Sequence, residues 1–447
     1  MFLEQGEVID EIITKIRNGR ITRRTFLERA IAVGLTSTAA VSLLEACGGT
    51  SNSATGSGQT VNINYIEKDT NGVYAGLVAD FNAQNKGVHV TYNANAPSDT
   101  GQLLTIITTM LRARSSAYDV FPMDIIWPPE FGANGWTVPL ESKWPASDRA
   151  NYLPGPLAGC TYNGHLWAAP YRTDAGLIYY RTDIIPTPPN TWEDMTKMAK
   201  ASSPSKAKYG YLWQGAQYEG LVCDFTEVLY GYGGSVLDPN NPKSVTVNSP
   251  EGVTALTLMT SWVGGISPSA ITTYEEPQTL ASWQDGDTVF ARNWPYQYAL
   301  SNDPSSSKVV GKFDVHTMLY GGSNTTGHSS LGGWQLGINA FSKNPDAAWM
   351  FVQHQLAEPA QKTFAVKLSL TSTLLSIYDD ADVLKANPFF AKLKPVFQTA
   401  QPRPVTPFYP DVSNAIQVRV HSALTGGSTP AAALAGLESD LQAIVNK

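Results

Sequence analysis

Two aspartates and one arginine stand where backbone geometry would present them rigidly. Asp124 stands where an apolar strand begins in "DVFPMDIIW", Asp174 precedes another apolar strand in "YRTDAGLIYYRTDIIP", and Arg403 sits between prolines in "AQPRPVTPFYP". Large rings accompany them: Trp334 follows two glycines in "SLGGWQLGIN", and Trp294, Tyr296 and Tyr298 surround Pro295 in "ARNWPYQYAL". An ionised carboxylate accepts two protons, a guanidinium only donates, and a large amphipathic ring suits a ligand with one apolar and one polar aspect. Read singly, each aspartate is equally a cap or turn residue and each ring a core residue. A carboxylate pair such as Asp124 with Asp174 would also suit glycoside hydrolysis, where carboxyl separation decides the geometry.

Other chemistries lack their residues. The six histidines, at 89, 165, 316, 328, 354 and 421, form no H-E-x-x-H, and the cysteines form no C-x-x-C, so neither a metal nor a cofactor is expected. Ser329 and Ser330 in "GHSSLGG" lack the flanks of a nucleophile elbow, and the loops "YGYGGS" and "YGGSNTTG" lack the lysine of a phosphate-binding loop. The 447 residues carry a formal charge of −7, which offers no electrostatic reason to bind nucleic acid. Aromatics reach 10%, with 11 Trp and 20 Tyr, a supply of amphipathic rings suited to a pocket.

The elements that must position these residues alternate. "VNINYI" reads as a strand, "GVYAGLVADFNAQNKG" as a helix with Val73, Leu77 and Phe81 on one face and a stop at Gly87, and "VHVTYNAN" as a strand again. Further helix starts stand at Thr191 with Asp194 three residues on, at Ser249 before Pro250, and at Thr429 before Pro430. No internal repeat interrupts this α/β alternation. Roughly 400 residues exceed what one core usually holds, so two lobes with a cleft between them are expected.

The N-terminus resembles a twin-arginine export signal ending in a lipobox: Arg23-Arg24, then Phe26-Leu27, a modest apolar stretch from Ala30 to Leu44, and Cys47 after Leu44-Glu45-Ala46. Glu45 is unusual just before a cleavage site. Residues 1–46 are read as this signal, Cys47 as the lipidated residue, and 47–59 as a flexible tether to a membrane surface. Outside the cytoplasm the remaining Cys160 and Cys223 are candidates for one disulfide, the alternative being two separate buried thiols.

Six segments in order, "DVFPMDIIW", "PYRTDAGLIYYRTDIIPTPPNTWEDM", "YEGLVCDFTEVLYGYGG", "RNWPYQYAL", "GGWQLGINAFSKNPDAAWMFVQ" and "PRPVTPFYPDVSNAIQ", resemble the extracytoplasmic solute-binding proteins of ABC sugar importers, especially the branch that binds trehalose, maltose and related sugars. The resemblance implies a two-lobed, maltose-binding-protein-like type II periplasmic-binding-protein fold. Its N-terminal lobe would take 60–172 plus 308–342 and its C-terminal lobe 173–307 plus 343–447, with crossovers near 170–175, 305–310 and 340–345 that close by hinge bending.

On the same resemblance, Asp124 and Asp174 accept sugar hydroxyls, Trp294, Tyr296 and Trp334 are stacking walls, Arg403 donates to the sugar, and Gly333 allows close backbone approach. Two departures touch one end of the pocket. "YIEKDTNGVY" offers Glu67 and Asp69, but its register puts Thr70 or Asn71 where the family often has an acid, and Arg172 stands where an aromatic often does. The implied protein is a monomeric lipoprotein without catalysis that passes its sugar to the transmembrane subunits of a permease. An extracytoplasmic glycosidase or an adhesive surface lipoprotein are the alternatives from other classes.

Overall fold

A computed structural model of the chain describes residues 60–69, 72–97 and 100–446. Its strands follow the two-residue burial period expected of a half-covered sheet, as in Val88–Asn93, where Val88 and Val90 point inward and His89 and Thr91 outward. The first half runs β1 (Val61–Ile66), α1 (Val73–Gln84), β2 (Val88–Asn93), α2 (Thr100–Arg112), β3 (Val120–Asp124), β4 (Ala169–Ala175), β5 (Leu177–Arg181), α3 (Trp192–Ser202), β6 (Tyr209–Leu212) and α4 (Glu219–Gly231). There follow α5 (Pro250–Trp262), α6 (Glu276–Gln284), β7 (Thr288–Asn293), α7 (Tyr296–Ser301), β8 (Phe313–His316), β9 (Leu331–Ile338), α8 (Pro345–Leu356), α9 (Glu358–Leu368), α10 (Phe390–Thr399), α11 (Tyr409–Leu424) and α12 (Pro430–Val445). Local chemistry sets several helix starts. Thr191, Ser249 and Thr429 each accept a backbone N–H from three residues on, at 3.0, 3.1 and 3.3 Å.

Among the described residues the strands build two main sheets, one of five strands in the order β2-β1-β3-β9-β4 and one of four in the order β8-β5-β7-β6. In the first, β1 runs parallel to β2 and β3, while β9 is antiparallel to both β3 and β4. Each sheet has its own core. One gathers Tyr65, Phe81, Phe121, Phe351 and Phe364, the other Tyr179, Trp192, Tyr211, Trp262 and Trp283. Each such buried side chain contributes about 1.5–3 kcal/mol against solvent exposure, which is what commits an element to one lobe.

The chain crosses between lobes at Gly176, between β8 and β9, and after α9. This corrects the division expected from the sequence. β8 pairs with β5 in the second sheet, because Phe313 and Val315 pack inward there and Phe313 meets Trp283 at 5.7 Å. Helices α8 and α9 belong to the first lobe, where Phe351 meets Tyr65 at 4.9 Å and Phe81 at 5.3 Å. The second and third crossovers therefore fall at 317–330 and 369–374 rather than near 305–310 and 340–345. Within the last, Thr371 lies along β4, its carbonyl accepting from Thr173 N at 3.0 Å.

Candidate functional site

β9 carries the first half of the site because it lies between β3 and β4. Trp334 pairs with Asp124 on one side and with Arg172 on the other, and Gly332 pairs with Asp174. Directly opposed residues of antiparallel strands share a face, so Asp124, Trp334 and Arg172 form a row across the sheet. The Arg172 guanidinium carbon lies 5.4 Å from the Trp334 ring centre, 5.2 Å from Tyr171 and 5.8 Å from Tyr74. Gly333 has φ of 124°, and a Cβ there would lie 2.5 Å from the Arg172 carbonyl oxygen. The close approach that requires glycine is thus to the neighbouring strand.

The second lobe contributes Trp294 from the turn after β7. Asn293 Oδ1 accepts from Trp294 N at 2.8 Å, Asn293 Nδ2 donates to Gln297 Oε1 at 2.6 Å, and Tyr179 Oη donates to the Trp294 carbonyl at 2.8 Å. The half-buried indole rests on Arg292, whose guanidinium carbon is 4.0 Å from the ring centre. Arg292 is fully buried and donates to Glu227 from Nε and Nη2 at 2.8 and 2.7 Å, so it is a structural cation under the ring. The indole also reaches the first lobe: a Cβ built on Gly332 would stand 3.1 Å from Trp294 Cζ3 and 3.3 Å from Asp174 Cβ. Tyr296 is half-buried; burial pushes its hydroxyl pKa up, with the Glu276 and Asp174 carboxylates adding to the shift. Tyr298 instead stacks on Phe389 at 4.2 Å, a core contact.

Arg403 joins the two halves. It is buried, with Nη2 donating to Asp124 Oδ1 at 3.3 Å and Nη1 to Glu219 of α4. Glu219 also accepts from the Tyr409 and Ser413 hydroxyls. Burial raises the pKa of Asp124, an effect Arg403 opposes. Burial pushes Asp174 up to about 7, against the pull of Arg172 and a hydrogen bond from Thr371.

The remaining expectations divide. Glu67 is buried and accepts from Tyr171 Oη at 2.6 Å, with Arg172 Nη2 3.9 Å away, so it backs Arg172. Asp69 Oδ1 accepts from Tyr74 and Ala75 N at 3.1 and 3.3 Å, committed to the start of α1. Asn71 and Cys47 lie outside the described residues. The candidate disulfide is corrected: Cys160 and Cys223 are free and buried. Cys160 is in the first-lobe core, where Sγ donates to Gln335 Oε1 at 3.3 Å, and Cys223 lies on α4 of the second lobe. A hollow of about 500 Å³ bounded by Trp144, Tyr152, Trp349 and Glu358 involves none of the residues singled out from the sequence.

Three contributors were not singled out from the sequence: Glu276, Tyr218 and Glu219. Trp294 Nε1 donates to Glu276 Oε1 at 3.1 Å, and Tyr218 Oη donates to Glu276 Oε2 at 2.6 Å. In the string, Glu276 reads only as the acidic start of a helix before Pro277.

Residues 67–362 match the family described as bacterial extracellular solute-binding protein. A probable ABC transporter-binding protein of Deinococcus radiodurans is 38% identical over 362 residues, covering 78% of this chain and 85% of the relative. Among solved structures, maltose-bound MalE3 of T. maritima shares 34% identity at a TM-score of 0.77, over 86% of this chain and 99% of that one. An ABC transporter solute binding protein from Agrobacterium radiobacter K84, in complex with ribitol, shares 26% identity at a TM-score of 0.73, over 86% and 98%. The two-lobed sheets with charges and rings between them therefore have the type II periplasmic-binding-protein fold, and the chain belongs to the bacterial extracellular solute-binding proteins, a family that binds its solute and does not transform it.

Proposed function

We propose that the protein captures a sugar between its lobes, a disaccharide such as trehalose or maltose or a related saccharide, and delivers it to an ABC permease. The observation that carries this reading is the row Asp124–Trp334–Arg172 facing Trp294 across the cleft, with Asp174 beside it. Carboxylates accept from hydroxyls, the guanidinium groups of Arg172 and Arg403 donate, and indoles pack on C–H faces. Lobes joined by three chain crossings are suited to hinge closure on such a ligand. The relative that carries maltose supports a cyclic sugar; the one that carries ribitol keeps polyols in the comparison.

A thermal-shift and calorimetric panel of maltose, trehalose, glucose, mannitol and ribitol tests it. A ligand at 100 times its dissociation constant adds about 2.7 kcal/mol of stability, and none of the panel binding would overturn the reading. The anchoring part has its own test. With lipid on Cys47 as anchor, Cys47→Ala leaves the protein exported but released from the membrane fraction, and retention after a high-salt wash would refute it. Arg23→Lys with Arg24→Lys blocks export if the twin-arginine route is used; normal export would point to the general secretion route.

A further inference from the structure

The Trp294 side chain is held by two contacts of different kinds. Arg292 lies under its face at 4.0 Å, and Glu276 Oε1 takes its indole N–H at 3.1 Å. The other Glu276 oxygen takes the Tyr218 hydroxyl at 2.6 Å. A half-buried indole held by packing alone keeps freedom about χ2, whereas a hydrogen bond at its edge removes that freedom. Each oxygen of Glu276 already accepts one protein donor, and the indole has no N–H left for a ligand. What Trp294 can offer is its ring surface at a set angle.

We propose that Glu276 is the positioning residue of the cleft, clamping Trp294 and Tyr218 into one corner so that the site selects cyclic sugars over acyclic polyols. The proposal rests on the sugar-binding reading above. A pyranose presents a rigid C–H face that matches a preset ring, and its fit depends on the ring angle. An acyclic polyol must freeze several rotors to make such a face, so it draws less from the wall and loses less when the wall loosens. Specificity here is a difference between two affinities, and Glu276 raises the one for the cyclic sugar more than the one for the polyol.

A purely structural role is also open to Glu276, as the first residue of α6 after the Glu275–Gln278 capping box, where negative charge favours the helix. Glu276→Gln separates the two. It removes the charge but keeps an oxygen for the indole N–H and an amide that can donate to the Tyr218 oxygen. Glu276→Asp does the reverse, keeping the charge at the helix start while withdrawing it from the indole, and it serves where Glu276→Ala does not fold.

The experiment uses calorimetry with ribitol and with the tightest binder among maltose, trehalose and glucose, together with the indole ¹H–¹⁵N signal of Trp294, assigned by its loss in Trp294→Phe. In Glu276→Ala and Glu276→Asp the indole signal shifts and broadens, and affinity for the cyclic sugar falls about tenfold or more while that for ribitol falls by less than about threefold. Glu276→Gln keeps the signal sharp and both affinities within about threefold. Wild-type sugar affinity in Glu276→Ala, equal losses for both ligands, or damage in Glu276→Gln matching that in Glu276→Ala would overturn the proposal. If no cyclic sugar binds the wild type, the sugar reading fails first. The indole signal then decides the clamp alone, an unchanged signal in Glu276→Ala refuting it.

Discussion

Arg403 meets Asp124 across the cleft, Nη2 to Oδ1 at 3.3 Å, while Glu219 of its own lobe holds Nη1. The arginine proposed to donate to the ligand is therefore also a strut between lobes. Removing it leaves two carboxylates without their cation, both partly exposed at 15% for Asp124 and 31% for Glu219, so the cost is smaller than for a fully buried pair. Arg403→Ala is expected to lower the ligand-free melting temperature and the sugar affinity together. Urea unfolding of the ligand-free protein checks the first, and wild-type stability would show that the pair is not a strut.

Trp294→Ala is expected to act on the ligand. The Arg292–Glu227 pair beneath the ring does not depend on the indole, so ligand-free stability changes little, whereas affinity falls by about 2–4 kcal/mol as for a buried aromatic hot spot. Calorimetry beside thermal unfolding reads both. A large loss of ligand-free stability with undiminished affinity would make Trp294 a core residue.

Sugar affinity is expected to rise with pH up to about 7 and then level, because the pKa of Asp174 is pushed up to about 7 by burial. Ligand hydroxyls donate to the ionised carboxylate and pull its pKa down, so binding below that pH releases a proton. In the ligand-free protein the sign is opposite: the raised pKa adds stability that is full below the unfolded value of about 3.9 and declines as pH rises toward the folded value. Asp174→Asn keeps the shape and should flatten the affinity profile. A profile as steep in Asp174→Asn as in the wild type would assign the titration elsewhere.

Dithiothreitol is expected to leave the melting temperature unchanged, since Cys160 and Cys223 are free thiols in separate lobes. A disulfide across the lobes would instead contribute about 2–4 kcal/mol, visible as a drop on reduction.

Helix starts were legible because their hydrogen bonds span three residues: Thr191 with Asp194, Ser249 with Gly252, Thr429 with Ala432. Asp174 was legible as a charge just before the apolar strand β5, whereas Asp124, expected to begin a strand, ends β3, because its Oδ1 accepts from Ile126 N at 3.3 Å and its carbonyl from Trp127 N at 2.9 Å, closing a turn. Arg292 reads in the string like Arg403, an arginine beside rings and proline. Only packing distinguishes them, burying Arg292 against Glu227 and placing Arg403 between Glu219 and Asp124.

By itself the sequence determined the α/β alternation, the local caps, the export-signal-like terminus and the residue types able to hold a polyhydroxylated ligand, all properties of contacts a few positions long. The tertiary structure alone decided which lobe owns β8, α8 and α9, that the two thiols stay apart, and that Glu276 clamps Trp294. Those outcomes depend on partners brought together by folding: Glu276 and Trp294 are 18 positions apart, and Asp124 and Arg403 are 279 apart. A hydrogen bond reaches about 3 Å whatever the separation along the chain, so pairs that far apart leave no periodicity for a string to show.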